Sequence, residues 1–348
     1  DFTDLLEKGL VELASCPGDP AILMVDEAQD LTPLQWDLIH QWGAHVERVV
    51  IAGDPAQAIY GFIGAGPEEL LTPIPTEHYR LLRRSYRLPS GVQSYAERWL
   101  GQHSGDLCND RIYQPQTGAG VIERYDATWQ TPEDLLDEIV LNAQIGREVM
   151  ILASCAYMLR PTIALLRREG VPFHNPYRRR SGAWNPGSEE SWAAAKTLLG
   201  AEGNWWSWGQ HLPAKLFNGF KKDAAALPAS HALTGEVYQR VALSHDWRWY
   251  LSVALERETK AIGYALRCLA GGWERPNVTI GTVHSVKGGE ADVVILFPDL
   301  SPNGAEERDS SLQGHDASIR LAYVGLTRSK DQVVLCRAVQ PRRAWWWL

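Results

Sequence analysis

Short apolar runs recur along the chain at Ala21–Val25, Val49–Ala52, Val121–Tyr125, Val149–Ala153, Val278–Val283, Val293–Phe297 and Gln332–Cys336. Each has strand length and is rich in Val, Ile and Leu, and the run-like rather than alternating pattern predicts parallel strands buried on both faces. Between them, apolar residues return at helical spacing over Phe2–Leu13, Pro33–Gln41, Ser90–Leu100, Pro132–Gln144, Met158–Glu169 and Ser318–Arg328. Strand and helix in alternation predict a layered α/β fold. The pattern changes over about 181–272, where helix-like segments and few strands accompany eight tryptophans in or beside the stretch (184, 192, 205, 206, 208, 247, 249 and 273), which predicts a mainly helical insertion.

Composition narrows the class. With 348 residues, 45% hydrophobic and 22% charged, the chain has room for two or three domains, and disordered, collagen-like and coiled-coil readings are excluded. The net charge of -8 argues against bulk attraction to nucleic acid but leaves room for a local basic groove. Cys16, Cys108, Cys155, Cys268 and Cys336 are 92, 47, 113 and 68 residues apart, so no pair has metal-ligand or redox spacing, and the odd, scattered set reads as reduced and cytoplasmic. No run approaches the roughly 18 apolar residues of a membrane span, so no membrane partner is expected. The chain starts at Asp1 and enters an amphipathic pattern at once, from which we expect it to be part of a longer protein. Trp345-Trp346-Trp347 is a low-complexity patch that we expect to be packed or to continue into further chain.

Two strand ends carry candidate chemistry. The run Ala21–Val25 delivers Asp26-Glu27-Ala28-Gln29-Asp30 to its C-terminal edge, where ligands bind in open α/β sheets. Paired carboxylates there suit a nucleoside triphosphatase, one holding Mg²⁺ and the next activating water; an isolated pair reads equally well as a solvated acidic turn. The run Val49–Ala52 enters the glycine-containing loop Gly53–Ala65, decorated by Gln57, Tyr60 and Phe62. A glutamine at such an edge can sense a terminal phosphate, and exposed aromatics can stack on unpaired bases at about 1–3 kcal/mol each. The alternative is a turn whose aromatics fold back into the core.

D-E-A-Q-D at 26–30, G-D-P-A-Q-A-I-Y-G-F at 53–62, S-Y-R at 85–87, T-V-H-S-V-K-G-G-E at 282–290 and R-L-A-Y-V-G-L-T-R at 320–328 occur in an order that closely resembles motifs II to VI of the UvrD/Rep-type superfamily 1A DNA helicases. The resemblance is sharp over about 20–90 and 276–337. It implies an α/β fold of the RecA-like P-loop NTPase type, with ATP and Mg²⁺ as cofactors and single-stranded DNA and single/double-strand junctions as partners. Implied catalytic residues are Asp26 as the Mg²⁺ ligand, Glu27 as activator of the hydrolytic water, Gln57 as coupler of the γ-phosphate to the DNA-facing loop, and Arg87 and Arg328 as arginine fingers. Tyr86 is implied to stack on adenine and Glu290 to contact the ribose, with Gly288 beside it in the nucleotide site. Tyr60 and Phe62 are implied to stack on bases, while His284 and Lys287 touch the strand. Lys287 and Arg320 read alternatively as surface charges.

The match has departures. Ile63 stands where the family usually has arginine, Ser85 replaces a common asparagine and Gly289 a common leucine, changes that bear on coupling more than on fold. Arg178-Arg179-Arg180 reads as a solvated turn or a backbone contact. No Gly-Lys dipeptide occurs anywhere, so the phosphate loop G-x-x-x-x-G-K-[S/T] is missing, and in the family it lies far upstream of D-E-A-Q-D, whereas 25 residues precede Asp26 here. The expectation is therefore half of a first RecA-like domain at 1–80, a second RecA-like domain at 81–180 and 273–348, and the tryptophan-rich accessory insertion at 181–272. Strands beside the missing half would expose apolar edges, with a further N-terminal segment or a complementing chain as partner. The function expected is an ATP-dependent DNA helicase or translocase, 3′ to 5′ by resemblance; the alternative is a DNA-binding or regulatory relative that does not hydrolyse ATP.

Overall fold

The computed structural model describes residues 1–72, 75–105, 113–175 and 276–345, with short pieces between 185 and 273. Arg178–Arg180, most of the tryptophan-rich stretch, Trp346 and Trp347 lie outside the described residues. Two compact units are present: the first comprises Asp1–Glu123, Val286–Glu290 and Pro298–Leu348, the second Arg124–Ser285 and Ala291–Phe297. The architecture is mixed α/β with parallel strand pairing, consistent with a RecA-like helicase fold.

In the first unit, α1 (Phe2–Glu12) leads to β1 (Ile22–Val25), α2 (Pro33–Gly43) and β2 (Arg48–Ile51). A Thr32/Gln35 capping box and Pro33 in the first turn start α2. The two helices are tied by Gln41, whose Nε2 donates to the carbonyls of Leu10 at 3.1 Å and Leu13 at 2.8 Å, and by the Trp42 indole on Leu13 at 3.1 Å. β1 and β2 pair in parallel, Ile22 with Arg48 through Val25 with Ile51. Their apolar runs predict buried strands, and here the structure differs: Met24 is 75% exposed, and Ile22, Val49, Val50 and Ile51 are exposed as well. The reason is that β1 and β2 form a two-stranded sheet, so among the described residues each has a single strand neighbour.

The S-Y-R segment lies on β3 (Arg84–Pro89), which pairs in parallel with β4 (Gln114–Gln116) through an irregular register. Then α4 (Ser90–Leu100), after the short α3 (Glu68–Leu71), packs on the last long helix through the Trp99 indole, which donates to the Ile319 carbonyl at 3.1 Å. That helix, α8 (Leu312–Leu326), starts six residues before the expected Ser318, capped by the Ser311 hydroxyl, and follows α7 (Pro302–Ser310). At Gly314 a Cβ would lie 2.1 Å from the Glu307 carbonyl oxygen, so only glycine permits this approach of α8 to α7. Within this unit β10 (Ser329–Cys336) is almost wholly buried, and Trp345 is buried too, as expected for a packed end of the tryptophan patch.

The second unit holds the fully buried β6 (Val149–Ala153) between β8 (Val278–Thr282) and β9 (Ala291–Leu296), with β7 (Phe173–His174) beyond β8, all parallel in the order β9-β6-β8-β7. Here the apolar runs are buried as predicted. The helices α5 (Leu136–Gln144) and α6 (Arg160–Glu169) are each preceded by a tight turn of 3-10 type, so the expected helices at 132–144 and 158–169 are composite. The strand β5 (Val121–Tyr125), which the division between the units crosses, is not buried as its apolar run predicts: none of its five residues is buried and Val121 is 46% exposed.

Candidate functional site

Parallel pairing of β1 and β2 sets two loops side by side at their C-terminal ends. The Ala52 N–H donates to Val25 O at 2.8 Å and the Ala28 N–H to Ala52 O at 3.0 Å, so the acidic turn and the Gly53 loop share one edge. Glu27 adopts a left-handed conformation (φ 53°) at the head of the turn Ala28–Asp30, a position that costs a non-glycine residue on the order of 1 kcal/mol or more. Local bonds hold it there: its N–H donates to Asp26 Oδ1 at 2.9 Å and its carbonyl accepts from Asp30 N at 3.0 Å. The Asp26 carboxylate is thus engaged by the Glu27 N–H, whereas Glu27 Oε2 accepts from Gln29 Nε2, and the Glu27 side chain is 54% exposed.

Gln57 ends the turn Pro55–Gln57. Its Nε2 donates to Asp54 Oδ2 at 2.8 Å and its Oε1 accepts from Arg328 Nη2 at 3.1 Å. The Arg328 side chain, 1% exposed, also donates through Nε to Val324 O at 2.9 Å and through Nη1 to Gly289 O at 3.3 Å. Placed just after α8, this guanidinium joins the C-terminal motif to the glutamine loop.

Neither Lys287 nor Arg320 is a surface charge. Lys287, with a 6% exposed side chain, pairs with Asp30, lies 3.3 Å from Glu27 Oε2, donates to the Gln57 carbonyl at 2.9 Å and sits 5.4 Å from the Tyr60 ring centroid. Burial raises the Asp30 carboxyl above the usual carboxylate value, against the pull of the Lys287 ammonium. Burial likewise raises the Tyr60 phenol, reinforced by Asp30 and Glu27. Arg320 donates through Nε to Ala58 O at 2.8 Å and through Nη1 to His103 Nε2 at 2.8 Å. Burial lowers the His103 pKa, and a neutral imidazole is the form that can accept from a guanidinium.

The aromatics beyond Gln57 do not fold into the core together. Phe62 is 73% exposed and meets Tyr60 edge-on at 6.0 Å, while Tyr60 is half-buried. Ile63 beside them is exposed. On β3, Tyr86 is 81% exposed with the Arg84 guanidinium 5.1 Å from its ring centroid. Arg87 Nε donates to Glu290 Oε2 at 2.8 Å, joining the two residues expected at the phosphate and the ribose. Ser85, in place of the common asparagine, still holds the turn by accepting from Leu88 N at 2.9 Å. Gly288 has φ 84° and follows Lys287 into that segment. His284 stands on a 3-10 turn of the second unit, half-buried.

The first unit therefore gathers Glu27, Gln57, Tyr60, Lys287 and Arg328 into one cluster and Arg87 with Glu290 into another. Sequence reasoning assigned no role to Gln29, Asp30 or Asp54, although all three lie inside the quoted motifs.

The residues fit the implied cofactors in part. Asp26 offers one exposed carboxylate, and among the described residues no group of three or more His, Cys, Asp or Glu could hold a metal. That suits Mg²⁺, which keeps waters and phosphate oxygens around one or two protein carboxylates. Tyr86 offers an exposed ring with Arg84 against it, and Glu290 a partly exposed carboxylate bonded to Arg87. The phosphate-loop motif, whose backbone N–H groups and lysine would hold the phosphates, does not occur in the 348-residue sequence. No described helix is long and apolar enough to cross a membrane.

The UvrD/REP helicase N-terminal domain model matches residues 5–75, and the UvrD-like helicase C-terminal domain model matches residues 277–336. The ATP-dependent DNA helicase UvrD2 of Mycobacterium tuberculosis is 27% identical over 207 residues, 49% of this chain and 29% of the relative. The F-box DNA helicase protein 1 of Schizosaccharomyces pombe is 27% identical over 333 residues, covering 90% of this chain and 33% of the relative. DNA helicase II of Escherichia coli is 25% identical over 173 residues, 43% of this chain and 24% of the relative. The chain thus spans a third or less of the length of these relatives. With both domain models matched in order, residues 5–75 and 277–336 are UvrD/Rep-type helicase sequence.

Proposed function

We propose that the chain is part of an ATP-dependent DNA translocase and helicase acting on single-stranded DNA, with 3′ to 5′ polarity. The observation that carries this reading is the Gln57–Arg328 hydrogen bond, which ties a phosphate-sensing position to an arginine-finger position. A protein that only bound DNA would need neither this pair nor the adjacent carboxylates. Bound Mg²⁺ would neutralise charge on the phosphates and orient them. Asp26 holds the ion, Glu27 takes the proton of the attacking water, and Arg87 and Arg328 stabilise the charge that develops on the transferred group. Tyr86 stacks on adenine and Glu290 receives the ribose, with Gly288 leaving the backbone open beside it.

On the DNA side, Tyr60 and Phe62 stack on successive bases without choosing among them, as a translocase requires. His284 and Lys287 contact the strand, Lys287 after exchanging Asp30 for a phosphate. Domain organisation follows the same reading: half of a first RecA-like domain at 1–80, a second at 81–180 and 273–348, and an accessory insertion at 181–272. The phosphate loop comes from a further segment or a complementing chain, in which the apolar faces of β1 and β2 find cover.

Two measurements test this. The 348-residue chain alone hydrolyses ATP negligibly, and joining it to a phosphate-loop segment of the family restores DNA-stimulated hydrolysis; a robust rate from the chain alone, or none from the joined protein, refutes the reading. Phe62→Ala weakens single-stranded DNA binding by roughly 5- to 100-fold, the equivalent of about 1–3 kcal/mol, as read by fluorescence anisotropy. Unchanged affinity would remove Phe62 from the DNA surface.

A further inference from the structure

Two glutamines in the first unit are each held between a group that can only accept and a group that can only donate. Gln29, 1% exposed, donates from Nε2 to Glu27 Oε2 at 2.5 Å and accepts at Oε1 from the Asp54 N–H at 2.9 Å. Gln57 donates from Nε2 to Asp54 Oδ2 and accepts at Oε1 from Arg328 Nη2. Ionised carboxylates only accept, and backbone N–H and guanidinium groups only donate. Each amide therefore has one orientation, set by its neighbours and not by choice between two equal flips.

Asp54 joins the two halves. Its N–H faces Gln29, its Oδ2 faces Gln57, and its Oδ1 accepts from Ala56 N at 3.0 Å, which fixes the carboxylate across the turn. Gly53 makes the approach possible: a Cβ there would lie 2.8 Å from Gln29 Oε1 and 2.6 Å from Leu70 Cδ1. Side-chain networks in such sites hold together as a unit, since breaking one member leaves the next unsatisfied.

Resting on the motor reading, we infer that Gln29 and Asp54 are positioning residues: with Gln57 they form a polarised relay that sets the Glu27 carboxylate in register with Arg328. Gln29 anchors the carboxylate that must meet the attacking water, and Asp54 decides which end of Gln57 meets the arginine. A shift of Arg328 is then transmitted to Glu27 through Gln57, the carboxylate and backbone N–H of Asp54, and Gln29.

The 348-residue chain allows a test that does not depend on turnover. Amide hydrogen exchange at Asp54 quickens at least tenfold in Gln29→Ala and stays at the wild-type rate in Gln29→Glu, which keeps the acceptor; equal exchange in wild type and Gln29→Ala overturns the relay. In the chain joined to a phosphate-loop segment, Gln29→Ala and Asp54→Asn each lower kcat for DNA-stimulated hydrolysis by about 10- to 100-fold, with KM for ATP and Tm near wild type. In Asp54→Asn the new amide donor faces the Gln57 amide, and flipping Gln57 turns its donor onto Arg328. The double variant loses no more than the worse single variant, because the residues act as one unit; additive losses, or losses seen only in KM or Tm, count against the proposal. Gln29→Glu keeps the side-chain length and the acceptor for the Asp54 N–H, so it separates loss of that hydrogen bond from loss of side-chain volume. A joined wild-type protein without hydrolysis would sink the motor reading and leave the exchange result standing.

Discussion

Replacing Glu27 by Gln in the chain joined to a phosphate-loop segment lowers DNA-stimulated ATP hydrolysis by about 10²- to 10⁴-fold, the range for removing a positioned general base. The substitution keeps the shape and one acceptor oxygen, so KM for ATP and DNA affinity stay within a few-fold. It also replaces an acceptor-only carboxylate by an amide opposite Gln29 Nε2, which remains satisfied by the new carbonyl oxygen. Stability therefore changes little, and the strained left-handed backbone at Glu27 is retained by the bonds to Asp26 and Asp30. Single-turnover hydrolysis with radiolabelled ATP measures the chemical step alone. A rate within threefold of wild type would return Glu27 to the status of a solvated acidic turn.

Arg328→Lys is expected to be at least as damaging, with hydrolysis lowered by about 10³- to 10⁵-fold. Lysine keeps the charge but cannot reproduce a planar fork that reaches Val324 O, Gly289 O and Gln57 Oε1 together. Some stability is lost too, since buried carbonyls lose charge-assisted donors at about 1–3 kcal/mol for each group left unmet. Denaturant titration separates the two effects: turnover is measured where more than nine-tenths of the variant is folded, and the rate is corrected for the folded fraction. If the corrected rate recovers to near wild type, Arg328 is a structural clamp and the finger assignment falls to Arg87 alone.

Much of the fold follows from local pattern. The seven apolar runs became strands within a few residues, and helices began where Ser311 and the Thr32/Gln35 pair satisfy free N–H groups and where Pro33 has no N–H to satisfy. What local pattern missed was β3, β4 and β7, which are short or polar and exist through pairing with distant segments. It also predicted burial for β1 and β2 because composition reports what a strand could bury, whereas exposure depends on what lies against it.

The site divides in the same way. The amino-acid order by itself determined which chemical groups are present: adjacent carboxylates at one strand end, a glutamine and two aromatics at the next, and arginines at S-Y-R and T-R. It also determined the family, because five motifs in order constrain more than any one of them. Only the tertiary structure decided what those groups touch. Lys287 lies more than 200 residues from Asp30 and Gln57 and yet is buried between them. Gln29 and Asp54 gain a role only because parallel pairing of Val25 with Ile51 sets their loops edge to edge. Hydrogen-bond direction, burial and charge pairing are properties of neighbours in space, and spacing along the chain carries no record of them.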